Sequence, residues 1–235
     1  MGYENILLKL SGASISDEGG IFSFDKIEEF ANKVKSLVKR GIHVAIVVGG
    51  GNVWRGKEGK EFYLEADKAD YLGMASTIYN GELISSVLKK KRVKNRVFSS
   101  LKLEHITKKY DIDKARSYLD KGYVVILTGG TGKPGCSTDT ASALRAYELG
   151  LDAILVLKNG VDGIYDKDPN LDESAKKFDY IKYDDYLKRN LMAIDLGAIE
   201  IIKKENIKMI VFDANNLDNI DDVVSGKIIG TTIGG

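Results

Sequence analysis

Five short apolar runs rich in valine and isoleucine alternate with segments of helical periodicity, and this alternation limits the possible folds more than any other feature. The runs are ILLKL (6–10), VAIVV (44–48), YVVILT (123–128), AILVL (153–157) and MIVF (209–212). Between the first two, apolar residues recur at steps of three and four, and Gly41 follows as a stop signal. Strands that are apolar throughout are covered on both faces. The pattern therefore predicts an α/β fold, a three-layer αβα sandwich around a mostly parallel sheet.

Composition restricts the partners and the compartment of this chain. Its 235 residues contain no Pro- or Ser-rich linker, so we expect a single domain over residues 1–235. The 35 Lys and Arg nearly balance the 34 Asp and Glu, and a net charge of +1 predicts neither a nucleic-acid nor a membrane partner. No apolar stretch reaches membrane-spanning length, and Cys136 is the only cysteine. We therefore expect a soluble, cytoplasmic protein.

Three glycine-rich loops follow apolar runs: KLSG (9–12), GGGNVWRG (49–56) and GTGKPGCSTDTASALR (130–145). The carboxyl ends of parallel strands meet at one edge of a sheet, and glycine lets backbone N–H groups approach anionic oxygens closely. Three such loops together predict a phosphate site. They match neither the G-x-G-x-x-G dinucleotide fingerprint nor the GxxxxGK[ST] phosphate loop, which disfavours both of those classes.

Three charged residues in these loops are candidate catalytic groups. Lys9 lies in a buried strand, where it needs an anionic partner, and it would neutralise charge between attacking and leaving oxygens. Arg55 offers a bidentate fork to a phosphate, or is an ordinary surface arginine. Asp139 lies in the first turn of a helix that Ser137 or Thr138 would cap, where it either faces a ligand or only complements the helix dipole. The set predicts an enzyme that transfers a phosphoryl group.

Two further segments carry charge but allow simpler interpretations. In NGVDGIYDKDP (159–169), Asp162 and Asp168 would position backbone, metal or ribose, and Tyr165 would lie against a base, although turn aspartates are commonly structural. The basic segment KKKRVKNR (89–96) would contact nucleic acid or form a solvated helix end, and its lack of interleaved aromatics favours the second. The sequence has no zinc-spaced Cys/His set and no Ser–His–Asp arrangement, and we predict no metal-ligating residues.

The ordered set of motifs resembles the amino-acid-kinase superfamily and, within it, the bacterial uridylate kinases. The resemblance covers nearly the whole chain. It is carried by ILLKLSG, GGGNVWRG, ADYLGMASTIYNG (69–81), the segment from GTGKPGC to YDKDP (130–169) and MAIDLGAIEI (192–201). It implies the amino-acid-kinase fold and transfer of a phosphoryl group from ATP to UMP in pyrimidine nucleotide synthesis, with Mg²⁺ and usually in a homohexamer. The attacking UMP phosphate is already ionised at neutral pH, which suits a chain with only two histidines.

The resemblance also implies a division of the site between donor and acceptor. The implied ATP-binding residues are Lys9, Leu10, Ser11, Gly12, Gly51, Arg55, Asn159, Tyr165 and Asp168. The implied UMP-binding residues are Gly50, Asp70, Thr131, Gly132, Lys133, Pro134, Gly135, Cys136, Ser137 and Thr138. Asp70 would meet the ribose, the segment 131–138 would wrap the uracil, and Asp139 would orient the catalytic Lys9.

This chain departs from the family pattern in two places. Lys133-Pro134-Gly135-Cys136 replaces the usual Asn-Pro and two aromatic residues, so we expect a change in the strength of pyrimidine preference. Residues 13–15 read Ala-Ser-Ile instead of the usual Glu-Ala-Leu, in a region associated with GTP activation, so we do not expect a GTP response.

Two other functions remain open at this point. One is a superfamily relative that phosphorylates a carboxylate or carbamate, such as an acetylglutamate kinase or the kinase domain of an aspartokinase. The other is a non-catalytic nucleotide-binding protein that has kept the fold. The presence of Lys9, Arg55 and Asp139 together disfavours the second.

Overall fold

The computed structural model of this chain describes residues 2–235, apart from the side chains at positions 57 and 58. The strands are β1 (Asn5–Leu10), β2 (His43–Val48), β3 (Asn95–Ser99), β4 (Lys108–Lys109), β5 (Val124–Thr128), β6 (Ala153–Lys158), β7 (Ile164–Tyr165), β8 (Lys177–Phe178), β9 (Tyr180–Lys182), β10 (Lys208–Asp213) and β11 (Thr231–Gly234). The α-helices are α1 (Phe24–Lys39), α2 (Ala66–Lys90), α3 (Ile112–Asp120), α4 (Thr138–Leu149), α5 (Tyr183–Lys188), α6 (Leu196–Lys204) and α7 (Asp218–Val224). Short 3₁₀ helices span Gly12–Ile15 and Gly56–Lys60.

The central sheet has the strand order β4-β3-β5-β2-β1-β6-β10-β11-β9. Every pairing in it is parallel except that of β10 with β11, while β7 and β8 form a separate antiparallel pair. The five predicted strands are β1, β2, β5, β6 and β10, which are neighbours in the middle of the sheet and match the prediction to within one residue at each end. The strands that periodicity missed are short or contain polar residues, because they lie outside this doubly covered centre.

Alternate residues of the central strands enter two separate cores. Leu8 of β1 packs in a core with α1, α2 and α7, whereas its neighbour Leu7 packs in a core with α3, α4, α5 and α6. Successive side chains of a strand point to opposite faces, so a continuous apolar run supplies both cores. The predicted three-layer αβα sandwich is confirmed.

Local signals mark where the helices begin and end. The Ser137 side chain caps α4 by accepting a hydrogen bond from Thr140 N at 3.2 Å, and Asp139 lies in the first turn as predicted. Arg40 caps the C-terminus of α1, and Gly41 follows with a φ of +84°. Among the helices that the structure describes, none combines the length and the apolarity required to cross a membrane.

The basic segment 89–96 makes several contacts with the rest of the fold. Lys91 forms an ion pair of 3.0 Å with Glu28 on α1. The guanidinium carbon of Arg96 lies 5.0 Å from the centre of the Tyr118 ring on α3. These contacts give Lys91 and Arg96 structural roles within the fold.

Candidate active site

The three glycine-rich loops lie side by side at one edge of the sheet. They follow β1, β2 and β5, which are consecutive in the strand order β5-β2-β1-β6 and run parallel. The first two loops are bonded to each other, because Gly49 N donates to the Leu10 carbonyl at 2.9 Å. The predicted phosphate-handling loops therefore form one continuous surface.

An ion pair lies at the centre of this surface. Lys9 Nζ is 2.7 Å from Asp139 Oδ1, and the two side chains are only 11% and 15% exposed. Lys9 points to the face that α4 covers, because it follows Leu7 by two residues on β1. Asp139 Oδ1 lies close to the ammonium but has no hydrogen-bond donor with good alignment among the described residues. The carboxylate thus holds the lysine by charge at the start of α4.

Lys158 brings a second cation to the same place, and sequence reasoning did not identify it. It ends β6, the strand beside β1, and its Nζ donates to the Ala193 carbonyl. Burial lowers the pKa of the Lys158 ammonium; the carboxylates of Asp139 and Asp195 oppose this shift, and the charge of Lys9 adds to it. Asp139 therefore lies in the field of two lysines.

The second loop is supported from below by α2. Asn80 is completely buried, and its Nδ2 donates to the Gly49 carbonyl at 2.6 Å and to Asn52 Oδ1 at 2.7 Å. Gly50 lies so close to α2 that a Cβ there would be 2.6 Å from the Gly73 carbonyl oxygen. A Cβ at Gly12 would be 2.2 Å from Asn52 Oδ1, so the first and second loops also pack tightly.

Arg55 lies at the exposed end of the second loop. Its Nε donates to the Gly51 carbonyl at 2.9 Å, which turns the guanidinium back toward the glycines. The terminal nitrogens make no further bond within residues 2–235 as described. The geometry therefore leaves the two terminal guanidinium nitrogens of Arg55 directed at solvent beside the second loop.

A cavity of about 280 Å³ lies between the second and third loops and α2. Six of the residues predicted to bind the acceptor line this cavity: Gly50, Asp70, Lys133, Cys136, Ser137 and Thr138. Gly51, which was predicted to bind the donor, lines it as well. Trp54, Gly73, Met74 and Thr77 also line it, and none of these four was predicted from the sequence. The cavity opens beside Thr138, the residue next to Asp139.

Asp70 connects α2 to the third loop. Its Oδ2 accepts a hydrogen bond of 2.7 Å from the Gly135 N–H, in the segment 131–138. Gly135 has a φ of +74° and no neighbour within 4 Å of a Cβ position, so this backbone conformation suits glycine.

The beginning of the third loop is held by buried side chains. Gly129 N donates to Thr77 Oγ1 of α2 at 2.8 Å, and Thr77 Oγ1 donates onward to the Met74 carbonyl at 2.7 Å. Thr131, Gly132, Pro134 and Gly135 belong to this loop, although they do not line the 280 Å³ cavity. Thr77 and Asn80 lie in the segment 69–81 that carries the resemblance, but only the fold shows which loop each of these polar helix residues reaches, which explains why they were missed.

On the donor side, Asn159 is bonded to the loop after β1. Its Oδ1 accepts hydrogen bonds from Ser11 Oγ at 3.0 Å and from Ser14 Oγ at 2.6 Å. Leu10, Ser14 and Asn159 line a cavity of about 110 Å³. The structure therefore brings together Lys9, Leu10, Ser11, Gly12 and Asn159, as predicted for one side of the site.

Tyr165 and Asp168 lie farther along the same loop, and their polar atoms are bonded to close neighbours in sequence. The Tyr165 hydroxyl donates to Asp162 Oδ1 at 2.7 Å. Asp168 Oδ1 accepts from Asn170 N at 2.9 Å in a local turn. Asp162 and Asp168 therefore make the local contacts that are expected of structural aspartates in a turn.

Comparison with known proteins places this geometry in a family. The family model described as "Amino acid kinase family" matches residues 4–213. This chain belongs to the amino acid kinase family. The matched segment contains Lys9, Arg55, Asp139 and Asn159, so both sides of the site lie inside it.

Individual members of the amino acid kinase family are similar to this chain over nearly their full length. A uridylate kinase of Mycoplasmopsis pulmonis is 43% identical over 98% of this chain and 96% of its own. Among solved structures, the UMP kinase of Bacillus anthracis has a TM-score of 0.96 at 35% identity, covering 100% of this chain and 97% of its own. The UMP kinase of Ureaplasma parvum has a TM-score of 0.93 at 33% identity and covers 100% of both chains. The amino-acid-kinase fold is confirmed by these structural matches.

Proposed function

We propose that this chain is an ATP-dependent UMP kinase, which transfers the γ-phosphoryl group of ATP to the phosphate of UMP and releases UDP and ADP. The Lys9–Asp139 ion pair carries this proposal, because it lies between an acceptor-side cavity and the donor-side loops. The full-length relatives named uridylate kinase or UMP kinase support the same reaction.

Lys9 stabilises the phosphoryl group while it is transferred. Its ammonium is compact, little exposed and fixed by Asp139, so its charge meets the developing negative charge with little reorganisation. Phosphoryl transfer requires positioning and charge neutralisation more than a covalent nucleophile. The attacking UMP phosphate is ionised at neutral pH, so no side chain has to remove a proton.

The acceptor lies in the 280 Å³ cavity. Gly50 lines the cavity and lets the second loop pack closely against α2, and Asp70 accepts hydrogen bonds from the ribose while it also holds Gly135. The segment 131–138 surrounds the base. A purine base is larger than uracil, and the packed walls contributed by α2 restrict the space that it would need.

The donor lies across the loops after β1 and β6. Ser11 and Gly12 follow Lys9 at the ATP phosphates, and Gly51 and Arg55 approach from the second loop. Asn159 joins the two loops and, together with Leu10, Tyr165 and Asp168, contacts the adenosine end of ATP.

Mg²⁺ accompanies the donor. The described residues contain no group of three or more His, Cys, Asp or Glu side chains placed to hold a metal ion. Mg²⁺ retains several waters and binds mainly through substrate phosphates in kinase sites, so it does not require a cage of protein ligands. When bound, the ion neutralises phosphate oxygens of ATP.

An acceptor screen tests this function. The chain is incubated with ATP and Mg²⁺, and ADP release is compared for UMP, CMP, AMP, acetylglutamate and aspartate. We expect the highest kcat/KM with UMP. Activity on acetylglutamate or aspartate alone would replace this proposal with a carboxylate kinase, and ADP release with none of the five would contradict it.

We further propose that the enzyme is a cytoplasmic homohexamer. An apolar groove of about 560 Å³ along α2 supports self-association, because contact with a second chain would bury its exposed apolar side chains. Its lining includes Val53, Leu72, Tyr79, Leu83 and Ile106. Tyr79 and Ile106 are 66% and 59% exposed in the isolated chain. The cytoplasm is where ATP and UMP meet, and a single cysteine suits a reducing compartment.

Light scattering coupled to size exclusion tests the assembly. We expect a particle of six 25.8 kDa chains, and a smaller one after Tyr79→Glu, because a charge on this face opposes burial. A monomer in the unaltered protein would contradict the hexamer without affecting the proposed reaction.

A further inference from the structure

A buried charged network lies behind the third loop. Arg145 of α4 is only 5% exposed. Its guanidinium carbon lies 3.9 Å from the centre of the Tyr110 ring, and its Nη1 donates to Glu148. The Tyr110 hydroxyl also donates to Glu148, at 2.7 Å. A guanidinium held by a ring and a carboxylate has a fixed direction for its remaining N–H groups.

Those N–H groups reach the first turn of the third loop. Arg145 Nη2 donates to the Gly130 carbonyl at 3.2 Å and to Ser100 Oγ at 2.7 Å. Ser100 Oγ donates to the same Gly130 carbonyl at 2.9 Å. The carbonyl therefore accepts two hydrogen bonds from the same side, and one of them carries a full positive charge.

The Gly130 carbonyl belongs to the central peptide of a tight turn. Gly132 N donates to the Gly129 carbonyl at 3.0 Å, Gly130 has a φ of +56°, and Thr131 is not among the residues of positive φ. This is the pattern of a type II′ turn, and the rotation of its central peptide distinguishes type II′ from type I′. A side chain that holds the central carbonyl thus determines the orientation of the whole peptide.

The orientation of this peptide determines where the Thr131 N–H points. The described peptide bonds include no cis bond, and in a trans peptide the carbonyl and the following N–H point in opposite directions. The Thr131 N–H therefore points away from Arg145, and within the described chain it has no acceptor. Gly130 lines the 280 Å³ cavity, whereas Thr131 lines a separate cleft of about 530 Å³ together with Arg145, on the side of the turn opposite its N–H.

We propose that Arg145 is a positioning residue for acceptor recognition: it orients the Gly130–Thr131 peptide so that the Thr131 N–H donates to a carbonyl oxygen of the pyrimidine base. Uracil has two exocyclic carbonyl oxygens and no exocyclic amino group, so an N–H donor suits it. This inference rests on the proposed function, because the UMP acceptor supplies that oxygen.

Steady-state kinetics of three single variants test the inference. Arg145→Lys keeps the charge but loses the fork, and we expect it to raise KM for UMP about tenfold, the effect of one charged hydrogen bond. KM for ATP and kcat at saturating UMP should stay within about twofold. Ser100→Ala removes the neutral donor and should raise KM for UMP about threefold. Arg116→Ala is the control, because Arg116 also bonds to Glu148, through its carbonyl at 2.7 Å, but does not touch the turn.

The outcomes separate this inference from the proposed function. ADP release with UMP by the unaltered chain is measured first, and its absence contradicts the proposed function itself. If UMP is phosphorylated and both variants leave its KM unchanged, or raise KM for ATP equally, Arg145 has no positioning role. If Arg145→Lys does not fold, Ser100→Ala decides alone: a selective rise in KM for UMP supports the inference, and no rise overturns it.

Discussion

The acceptor-side loops are bonded to buried side chains of the core, whereas the donor-side loop after β6 is bonded mainly to exposed residues of its own segment. Asn80 and Thr77 of α2 hold the second and third loops. In contrast, Tyr165 and Asp168 are bonded to Asp162 and Asn170, a few residues away on the surface. The shape of the acceptor cavity is therefore fixed by the packing of the sandwich, while the polar groups of Tyr165 and Asp168 are held by local surface contacts.

This difference suggests how the work of the enzyme is divided. Selectivity between nucleotides requires a cavity that does not relax around the wrong base, and buried hydrogen bonds provide such rigidity. A donor present in excess needs less discrimination, so a surface loop is sufficient. Substitutions should therefore have larger and more specific effects on the acceptor side than on the donor side.

The largest effect is expected at the ion pair between the two sides. Lys9→Ala removes the cation that meets the developing charge, and we expect kcat to fall by about 10³-fold. The dissociation constant of UMP should change by less than about threefold, because Lys9 contributes to the transition state and not to the acceptor cavity. Steady-state kinetics and calorimetric titration measure the two quantities. Lys227→Ala, at an exposed lysine that pairs with Asp222, is the control. Unchanged turnover in Lys9→Ala would show that its assigned role is wrong.

The next effect compares one aspartate from each side. Asp70→Ala removes the carboxylate that holds Gly135 and that we propose accepts from the ribose, so KM for UMP should rise by about 10- to 100-fold. Asp168→Ala removes a local turn and one exposed contact with the adenosine end in the proposed complex, so KM for ATP should rise by less than about threefold. Initial rates with one substrate varied at a time give both constants. Equal effects of the two substitutions would remove the distinction between the two sides.

The sequence predicted the centre of the fold and several positions of the candidate site. The five central strands are continuous apolar runs because both of their faces are covered, and such runs are readable without tertiary information. Ser137 as a cap and Asp139 in the first turn of α4 follow from local capping chemistry. Lys9 required only the argument that a lysine in a buried strand has an anionic partner, and its partner is Asp139.

The supporting residues were not readable from the sequence, because their roles depend on which elements become neighbours. Asn80 reaches Gly49, 31 residues away, and Arg145 reaches Ser100, 45 residues away. Nothing in the local pattern distinguishes them from solvent-exposed polar residues of a helix. In the sequence, Lys158 is only a polar residue at the end of an apolar run. It lies close enough to Asp139 to interact with it because β6 is the neighbour of β1 in the sheet.

Two adjacent glycines sharpen the comparison at the level of packing. A Cβ at Gly50 would be 2.6 Å from the Gly73 carbonyl oxygen and 2.8 Å from Ser76 Cβ, whereas at Gly51 the nearest atom would be 3.8 Å away, on Arg55. Gly50→Ala should therefore lower the free energy of unfolding by about 1–3 kcal/mol through overpacking. Gly51→Ala should change it by less than about 0.5 kcal/mol.

Thermal unfolding of the two variants beside the unaltered protein measures this difference. A loss of 1 kcal/mol corresponds to about 2–4 °C in Tm for a chain of this size. Gly50→Ala should also raise KM for UMP, since the second loop must move away from α2. A Gly50→Ala protein as stable as Gly51→Ala would mean that α2 yields easily, which contradicts a rigid acceptor wall.

The smallest effect is expected from Tyr165→Phe on the donor side. The substitution keeps the ring and removes only the hydroxyl, which donates to Asp162 at 2.7 Å, so KM for ATP should change by less than about twofold. The Lys177 ammonium and the Tyr165 hydroxyl hold the pKa of the Asp162 carboxyl below its usual range. Loss of the hydroxyl should therefore raise that pKa toward the usual value, while Lys177 continues to lower it.

Carboxyl chemical shifts followed during an acid titration measure the pKa of Asp162, and initial rates at varied ATP measure KM. A group with a lowered folded pKa stabilises the fold above its unfolded pKa and loses this contribution as the pH falls through the folded pKa. In Tyr165→Phe, the stabilisation that the Asp162 carboxylate gives this loop should thus be lost at slightly higher pH during acidification. Activity at neutral pH should be unchanged. Lys177→Ala should raise the pKa further, because Lys177 is the larger influence. A large rise in KM for ATP with the Asp162 pKa unmoved would show that the hydroxyl serves the nucleotide directly, and the donor loop would then be as specifically built as the acceptor cavity.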